Sequence, residues 1–302
     1  MAGSERESGA PRGGRPPEKR LVLVWSDGAV LDSERPAHEL CLGPAFAECF
    51  CEGCESREAA GLWSSVALDS RLRGASQFRI LAAALRLAAR RPSLGRAARK
   101  ETALAAALEA WLATENRPSP ERLELALQSG DVDPRLYKAL EWSWQIQTGL
   151  ASLPPPPPFA AARTALGLIA GEAMIIALSS RPPASVKADW ARAGIAGLAG
   201  GYARARRGSA ESLASILEAC RPETAALLVG DAALDIEWAR SAGAAFYPIF
   251  RERVDGSWED LAQAWREGRA ASEGPAIPVA AFLDSFAAAP GRAGGLLNRD
   301  RR

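Results

Sequence analysis

The stretch LVLVWSDGAVLDS, Leu21 to Ser33, decides the reading of this chain. It opens on an apolar run, Leu21 to Trp25, and passes at once into the turn signal Ser26-Asp27-Gly28. A short apolar run with no polar alternation, stopped by a loop, has the pattern of a parallel strand buried on both faces. In open α/β sheets ligands bind outside the carboxyl ends of such strands, so Trp25 to Ser33 is the first place to look for chemistry.

Toward the C-terminus the pattern changes. From about Ser33 to Leu153 apolar residues recur at helical spacing, as in Phe78, Leu81, Leu85 and Ala88, then Leu104, Leu108 and Trp111, then Leu123 and Leu127. Pro118, Pro120 and Pro134 punctuate these helices, and strand signals are absent. The block ends in LPPPPPF, Leu153 to Phe159, where five prolines favour a stiff extended spacer. Beyond it, helices and strands alternate. The expected helices are Ala161 to Ala170, Ala184 to Ala193, Ala210 to Cys220 and Leu234 to Ala242. The expected strands are Met174 to Ser179, a weak one near Ala196 to Ala199, Ala225 to Asp231 and Ala244 to Phe250. Alternation of this kind predicts a parallel sheet covered by helices. The division is therefore a disordered tail at 1–19, an α/β core at 20–33 and 154–270, an all-helical insertion at 34–153 and a C-terminal extension at 271–302. Trp258 and Trp265 mark an amphipathic helix expected to dock on the sheet, and GRAGGLLNRDRR reads as a loose tail.

Composition narrows the function classes. The chain has 302 residues, a formal charge of +1 and 48% hydrophobic residues, enough for a substantial core. A near-neutral charge disfavours an obligate nucleic-acid binder, which needs a basic surface. The apolar stretch Phe159 to Leu178 is interrupted by Arg163 and Glu172, so no membrane span is expected. The polar first twenty residues lack the apolar segment of a secretory signal, which leads to the expectation of a cytoplasmic protein with free cysteines.

The strand ends carry the candidate chemistry. The first ends in Trp25-Ser26-Asp27-Gly28-Ala29-Val30-Leu31-Asp32-Ser33 and the second in Ser179-Ser180-Arg181-Pro182. The basic pair Arg206-Arg207 precedes a strand that ends in Gly230-Asp231-Ala232-Ala233-Leu234-Asp235. This order, with a helical block inserted after the first motif, resembles the haloacid dehalogenase (HAD) superfamily over about residues 20 to 250. The cap stretch SRLRGASQF, Ser70 to Phe78, is similar to a subgroup of that superfamily.

The resemblance implies a HAD-like Rossmannoid core with an inserted all-α cap. It also implies a phosphatase-type hydrolase that forms an aspartyl-phosphate with the help of Mg²⁺. Asp27 matches the general acid/base, and Gly28 with Asp32-Ser33 match the rest of the first motif, although Ala29 replaces a threonine. Ser179 matches the phosphate-binding hydroxyl, and Arg206 or Arg207 stands where a lysine is expected. Asp231 matches the metal-binding acid and Asp235 its helper. Trp25 occupies the nucleophile position. Indole has no lone pair suited to attack phosphorus and supplies no oxygen to a metal, so Mg²⁺ is expected to bind weakly and phosphatase activity on small phosphorylated metabolites to be impaired or lost. Trp25 then either fills the vacated site or forms a stacking floor for a ligand. The alternative is a non-catalytic module that binds a phosphorylated ligand or a protein partner. A third reading is direct activation of water by Asp27.

Other residues are weighed on their own. Cys41, Cys49, Cys51 and Cys54 fall in one short stretch and are a candidate Zn²⁺ site, against ordinary core packing in a helix. Cys220 is expected in the core. His38 is the single histidine, which excludes a site built on several histidines, and it is expected to face solvent. Tyr137, Trp142 and Trp144 are expected to pack inside the cap.

Overall fold

The computed structural model describes residues 20–220, 226–269 and 279–286. The expected tail at 1–19, Ala225 and the terminal stretch 291–302 lie outside them. Five strands form one parallel sheet: β1 (Arg20–Trp25), β2 (Ala173–Ser179), β3 (Gly201–Arg204), β4 (Leu227–Gly230) and β5 (Ala245–Pro248). Their order is β3-β2-β1-β4-β5, so the chain builds outward on one side of β1 and then crosses to the other. The switch point lies between the carboxyl ends of β1 and β4, where a crevice opens in folds of this topology.

Leu21 through Trp25 are all buried, as are Ile175 through Ser179. Burial of consecutive residues means that both faces of the central strands are covered, which is why these runs lack alternation. Helix α9 (Ala160–Ala170) packs against α13 (Val254–Arg266), α10 (Pro183–Arg192) lies along β2 and β3, and α12 (Ala233–Ser241) along β4 and β5. Helix α11 (Ala210–Cys220) precedes β4. Trp258 of α13 donates its indole N–H to the Ala29 carbonyl at 2.8 Å, and Trp265 is buried beside it. The weak strand expected at Ala196 to Ala199 is a correction. A single 3₁₀ turn occupies Ala196–Leu198, and the strand follows at Gly201–Arg204. As an edge strand β3 is partly exposed, so the apolar run that betrays a buried strand is missing.

Between β1 and α9 the chain is helical. The elements are α1 (Glu34–Ala37), a π turn at His38–Leu42, α2 (Gly43–Phe50), α3 (Ser56–Leu68), α4 (Gln77–Ala88), α5 (Gly95–Lys100), α6 (Thr102–Thr114), α7 (Pro120–Ser129) and α8 (Leu136–Ala151). They close over a hydrophobic core of their own, separate from that of the sheet. Phe46, Phe50, Trp63 and Trp142 stack in it with centroid spacings of 5.4 to 6.0 Å. Trp144 and Tyr137 do not join them. They are 38% and 50% exposed, because α8 turns only its Trp142 face inward. The two strands of chain that connect cap to core are tied together. Asp32 donates its N–H to Pro157 O at 2.9 Å, and Phe159 to Val30 O at 3.0 Å. The proline run is thus a rigid strap beside the first crossing. A last helix, α14 (Val279–Asp284), sets Phe282 against Phe246 and Phe250.

Among the described residues no helix is long and apolar enough to cross a membrane.

His38 differs from expectation. It accepts a hydrogen bond at Nδ1 from the Trp63 indole at 3.0 Å. Burial, with Arg73 adding repulsion, pushes its pKa down to about 4. The single imidazole should therefore stay neutral from about pH 8 to about pH 5 in a ring-carbon NMR titration. A midpoint near the ordinary histidine value would contradict the pairing of the half-buried imidazole with the Trp63 indole.

Candidate functional site

The carboxyl ends of β1 and β4 bring Trp25, Asp27 and Asp231 together. Trp25 is 4% exposed and meets Trp238 of α12 edge-on at 5.8 Å. The guanidinium of Arg207 lies over the ring, with Cζ 4.2 Å from the centroid. This is cation–π stacking in a desolvated place, where it is strongest. Trp25 is both a filler and a floor, and the group resting on the floor belongs to the protein.

Asp27 is held from three directions. Ser179 Oγ donates to Oδ2 at 2.5 Å, Arg181 Nη2 to Oδ1 at 2.8 Å and Ser33 Oγ to Oδ1 at 3.3 Å. Arg181 also donates to Asp189 at 2.7 Å. The expected phosphate hydroxyl of Ser179 is therefore spent on the expected acid/base, and Arg181, two residues on in sequence, supplies the charge that matches Asp27. The neighbouring Ser26 accepts from the Trp190 indole at 2.9 Å and is structural.

Asp231 is held more tightly still. Arg207 Nη2 donates to Oδ1 at 2.5 Å, and Arg73 donates to Oδ2 through Nε at 2.9 Å and through Nη2. Arg73 comes from the cap, in the turn between α3 and α4, and it also pairs with Glu34 Oε2 at 2.9 Å. Arg207 reaches Asp235 Oδ1 at 3.4 Å, while Asp235 Oδ2 accepts from the Ala232 N–H at 3.0 Å and closes the start of α12. Two glycines make room. Gly28 has φ +83°, and a Cβ there would lie 2.6 Å from Asp231 Oδ2. Gly74 has φ +75°, and a Cβ there would lie 2.4 Å from Arg207 Nη1. Each needs the left-handed backbone and the missing side chain at once.

Of the basic pair, Arg207 enters the site and Arg206 does not. Arg206 donates to the Asn116 carbonyl and to Ser209 Oγ, each at 3.2 Å. It links core to cap at the rim, because adjacent residues in an extended loop point to opposite sides.

Three carboxylates, Glu34, Asp231 and Asp235, thus share two guanidinium groups in a nearly dry space. Burial works against ionised Asp231, but Arg207 and Arg73 outweigh it and hold the carboxyl below its usual range. One negative charge is left over. Burial accordingly raises Glu34 to about 7, with Arg73 opposing and Asp231 adding to the rise, and raises Asp235 to about 6. Glu34 binds a proton more tightly in the folded chain than in the unfolded one. Its contribution to stability is complete below its unfolded value of 4.5 and is lost as pH rises through about 7. Glu34→Gln lacks that loss. The stability of the variant relative to the parent should rise by on the order of 2 kcal/mol between about pH 5 and about pH 8 in urea unfolding. A difference that does not vary with pH would show that Glu34 is not the protonated member.

A divalent metal does not fit this donor set. Mg²⁺ needs near-octahedral oxygen coordination. Both oxygens of Asp231 already accept from guanidinium groups, one Asp235 oxygen accepts from backbone, and Trp25 offers no oxygen. Among the described residues no group of three or more His, Cys, Asp or Glu side chains is arranged to hold a metal. The cysteines are a correction on the same ground. Cys41 Sγ donates to Ile146 O at 3.4 Å, Cys49 Sγ to Gln145 Oε1 at 3.2 Å, and Cys54 Sγ faces Leu94 O at 4.0 Å. Cys51 is buried, and burial followed by Cys54 pushes its thiol up to about 11. These thiols serve separate contacts and do not converge on a point. Cys220 is half-buried against the sheet core.

Arg73, Glu34 and Arg181 were not singled out by the sequence reading. Arg181 follows directly from Ser179-Ser180 at a strand end and was open to notice. Arg73 lies in the stretch SRLRGASQF but 158 residues from Asp231, and nothing in that stretch tells that it reaches this acid.

No protein-family model matches the chain, and no curated protein matches it. Among solved structures it aligns with a protein from Bacteroides vulgatus described as a β-phosphoglucomutase, at 15% identity and TM-score 0.49, over 86% of this chain and 93% of that one. It aligns with a protein from Lactobacillus delbrueckii subsp. bulgaricus described as a phosphoglycolate phosphatase, at 14% identity and TM-score 0.47, over 76% and 85%. It also aligns with L-2-haloacid dehalogenase from Xanthobacter autotrophicus with chloropropionic acid covalently bound, at 14% identity and TM-score 0.40, over 76% and 77%.

Proposed function

We propose that this chain is a HAD-type protein, related to phosphatases of small phosphorylated metabolites, whose phosphoryl-transfer centre has been converted into a closed ionic core. The observation that carries this reading is the double capture of Asp231 by Arg73 and Arg207 beside the indole of Trp25. Covalent transfer needs a carboxylate at the end of β1, a cation facing it and space for a phosphoryl group. The indole supplies no nucleophile. The cations present, Arg73 and Arg207, are bound to carboxylates, and their side chains are 4% and 2% exposed. Direct activation of water by Asp27 is disfavoured by the same count, since Ser179, Ser33 and Arg181 all donate to its oxygens.

The test is a panel of phosphate esters, p-nitrophenyl phosphate among them, assayed with Mg²⁺ on the parent, Asp27→Asn and Trp25→Asp. Turnover at the buffer background is expected for all three. Trp25→Asp should stay silent because Arg73 and Arg207 still hold Asp231. Inorganic phosphate should not raise the melting temperature, because ligand stabilisation requires partners that are free to bind. Mg²⁺-dependent hydrolysis by the parent that disappears in Asp27→Asn would overturn the proposal.

A further inference from the structure

The Arg73 side chain is 4% exposed, yet it belongs to a turn of the cap and ends on an acid of the core. The turn that carries it is built for the purpose. Ser70 Oγ donates to Val66 O at 2.6 Å and accepts from the Leu72 N–H at 3.1 Å. Arg73 N donates to Ser70 O at 3.0 Å and Ala75 N to Leu72 O at 2.9 Å. Leu72 is buried in the cap core, so the turn is anchored on its own side of the crevice. Gly74 follows with its left-handed backbone, letting the turn settle directly on Arg207.

From this geometry we propose that Arg73 is a tethered cation. It takes the place beside Asp231 and Glu34 that a free divalent ion would need, and by doing so it latches the cap onto the core. Two rim contacts lie on the same seam: Arg251 Nη1 to Asp69 Oδ1 at 2.5 Å, and Arg206 Nη1 to Asn116 O at 3.2 Å. Both are exposed or partly exposed, and exposed pairs contribute little. The buried Arg73–Asp231 contact is the one that a separated cap loses at greatest cost, since each charge would then need water. The hydrogen bonds of Asp32 with Pro157 and of Phe159 with Val30 keep the two chain crossings together, and the Arg73 contact adds to that tie.

The inference rests on the reading of this site as one that does not transfer phosphoryl groups, and it fails separately from it. Arg73→Ala leaves Asp231 paired with Arg207 and leaves the remaining charge of the cluster more negative. The parent should show no change in melting temperature with about 10 mM Mg²⁺ or Mn²⁺, whereas Arg73→Ala should gain a metal-dependent rise of several degrees. Amide exchange at 69–75 and at 230–235 should accelerate about tenfold or more in the variant, as expected when a closed contact becomes a locally opening one. Gly74→Ala keeps every charge and places a Cβ against Arg207, so it tests the latch if Arg73→Ala does not fold. The same two segments should exchange faster. An Arg73→Ala protein with parental exchange and no metal response overturns the inference, as does a parental exchange pattern in Gly74→Ala. Either result would leave the phosphate-ester assay of the preceding section untouched.

Discussion

Asp231→Ala is expected to destabilise the chain by about 3–5 kcal/mol, the range for leaving a buried charge without its partner. The expectation rests on the asymmetry of the ionic core. Asp231 is the one acid that binds both guanidinium groups, and those side chains are 4% and 2% exposed. Removing Arg73 leaves an acid that still has Arg207, and it frees Glu34, which burial already drives toward the neutral form. Removing Asp231 takes the closest partner from both guanidinium groups, which cannot shed their protons, and leaves Arg73 only Glu34 and Arg207 only the more distant Asp235 at 3.4 Å. A loss of that size is comparable with the whole stability of many domains. The double variant Arg73→Met with Asp231→Leu should cost less than Asp231→Ala alone, because apolar replacement of a buried pair removes the desolvation penalty together with the attraction. Urea unfolding of the set measures this directly. A single-variant cost below about 1 kcal/mol would mean that water reaches the cluster and that it does not hold the helical block against the sheet.

Trp25→Ala should be nearly as damaging, at about 3–5 kcal/mol, the usual cost of emptying a buried tryptophan. The indole meets Trp238 edge-on and carries the Arg207 guanidinium over its ring. Alanine would remove packing and the π face that compensates for the desolvation of Arg207. Trp25→Phe keeps a π face and should lose only about 1 kcal/mol or so. Chemical denaturation of the two variants separates a supporting aromatic from a vestigial one. If Trp25→Ala stays within about 1 kcal/mol of the parent, Arg207 does not depend on its floor.

The central strands and the turns at their carboxyl ends are the places where sequence and structure agree in detail. Leu21 to Trp25 and Met174 to Ser179 are continuous apolar runs because both faces of a central parallel strand are covered. The Asp27-Gly28 turn and the Gly230-Asp231 turn lie at the carboxyl edge because a strand that ends in a loop can put them nowhere else. The helical insertion is equally plain, since periodicity near 3.6 persists from Phe78 through Leu127. Edge position explains the misplaced β3. Gly201 to Arg204 is partly exposed and only four residues long, so it presents neither an apolar run nor a clean alternation. Trp144 and His38 fail for the opposite reason. Exposure of one residue on a helix, or burial of one imidazole under an indole, depends on what the next helix does.

The sequence by itself determined the sheet and the helical block inserted after its first strand, because strand burial and helical period are short-range properties written in neighbouring residues. What surrounds Trp25 was decided only in the tertiary structure. Arg73 and Asp231 meet across 158 residues, through a turn whose glycine, Gly74, looks like any loop glycine until Arg207 is seen against it. The chain spacing of Arg206 and Arg207 cannot tell which one turns inward, and the cysteine spacing cannot tell that the thiols part. Charge compensation in a buried site is a sum over every group that packs into it, and that sum exists only once the cap has closed on the core.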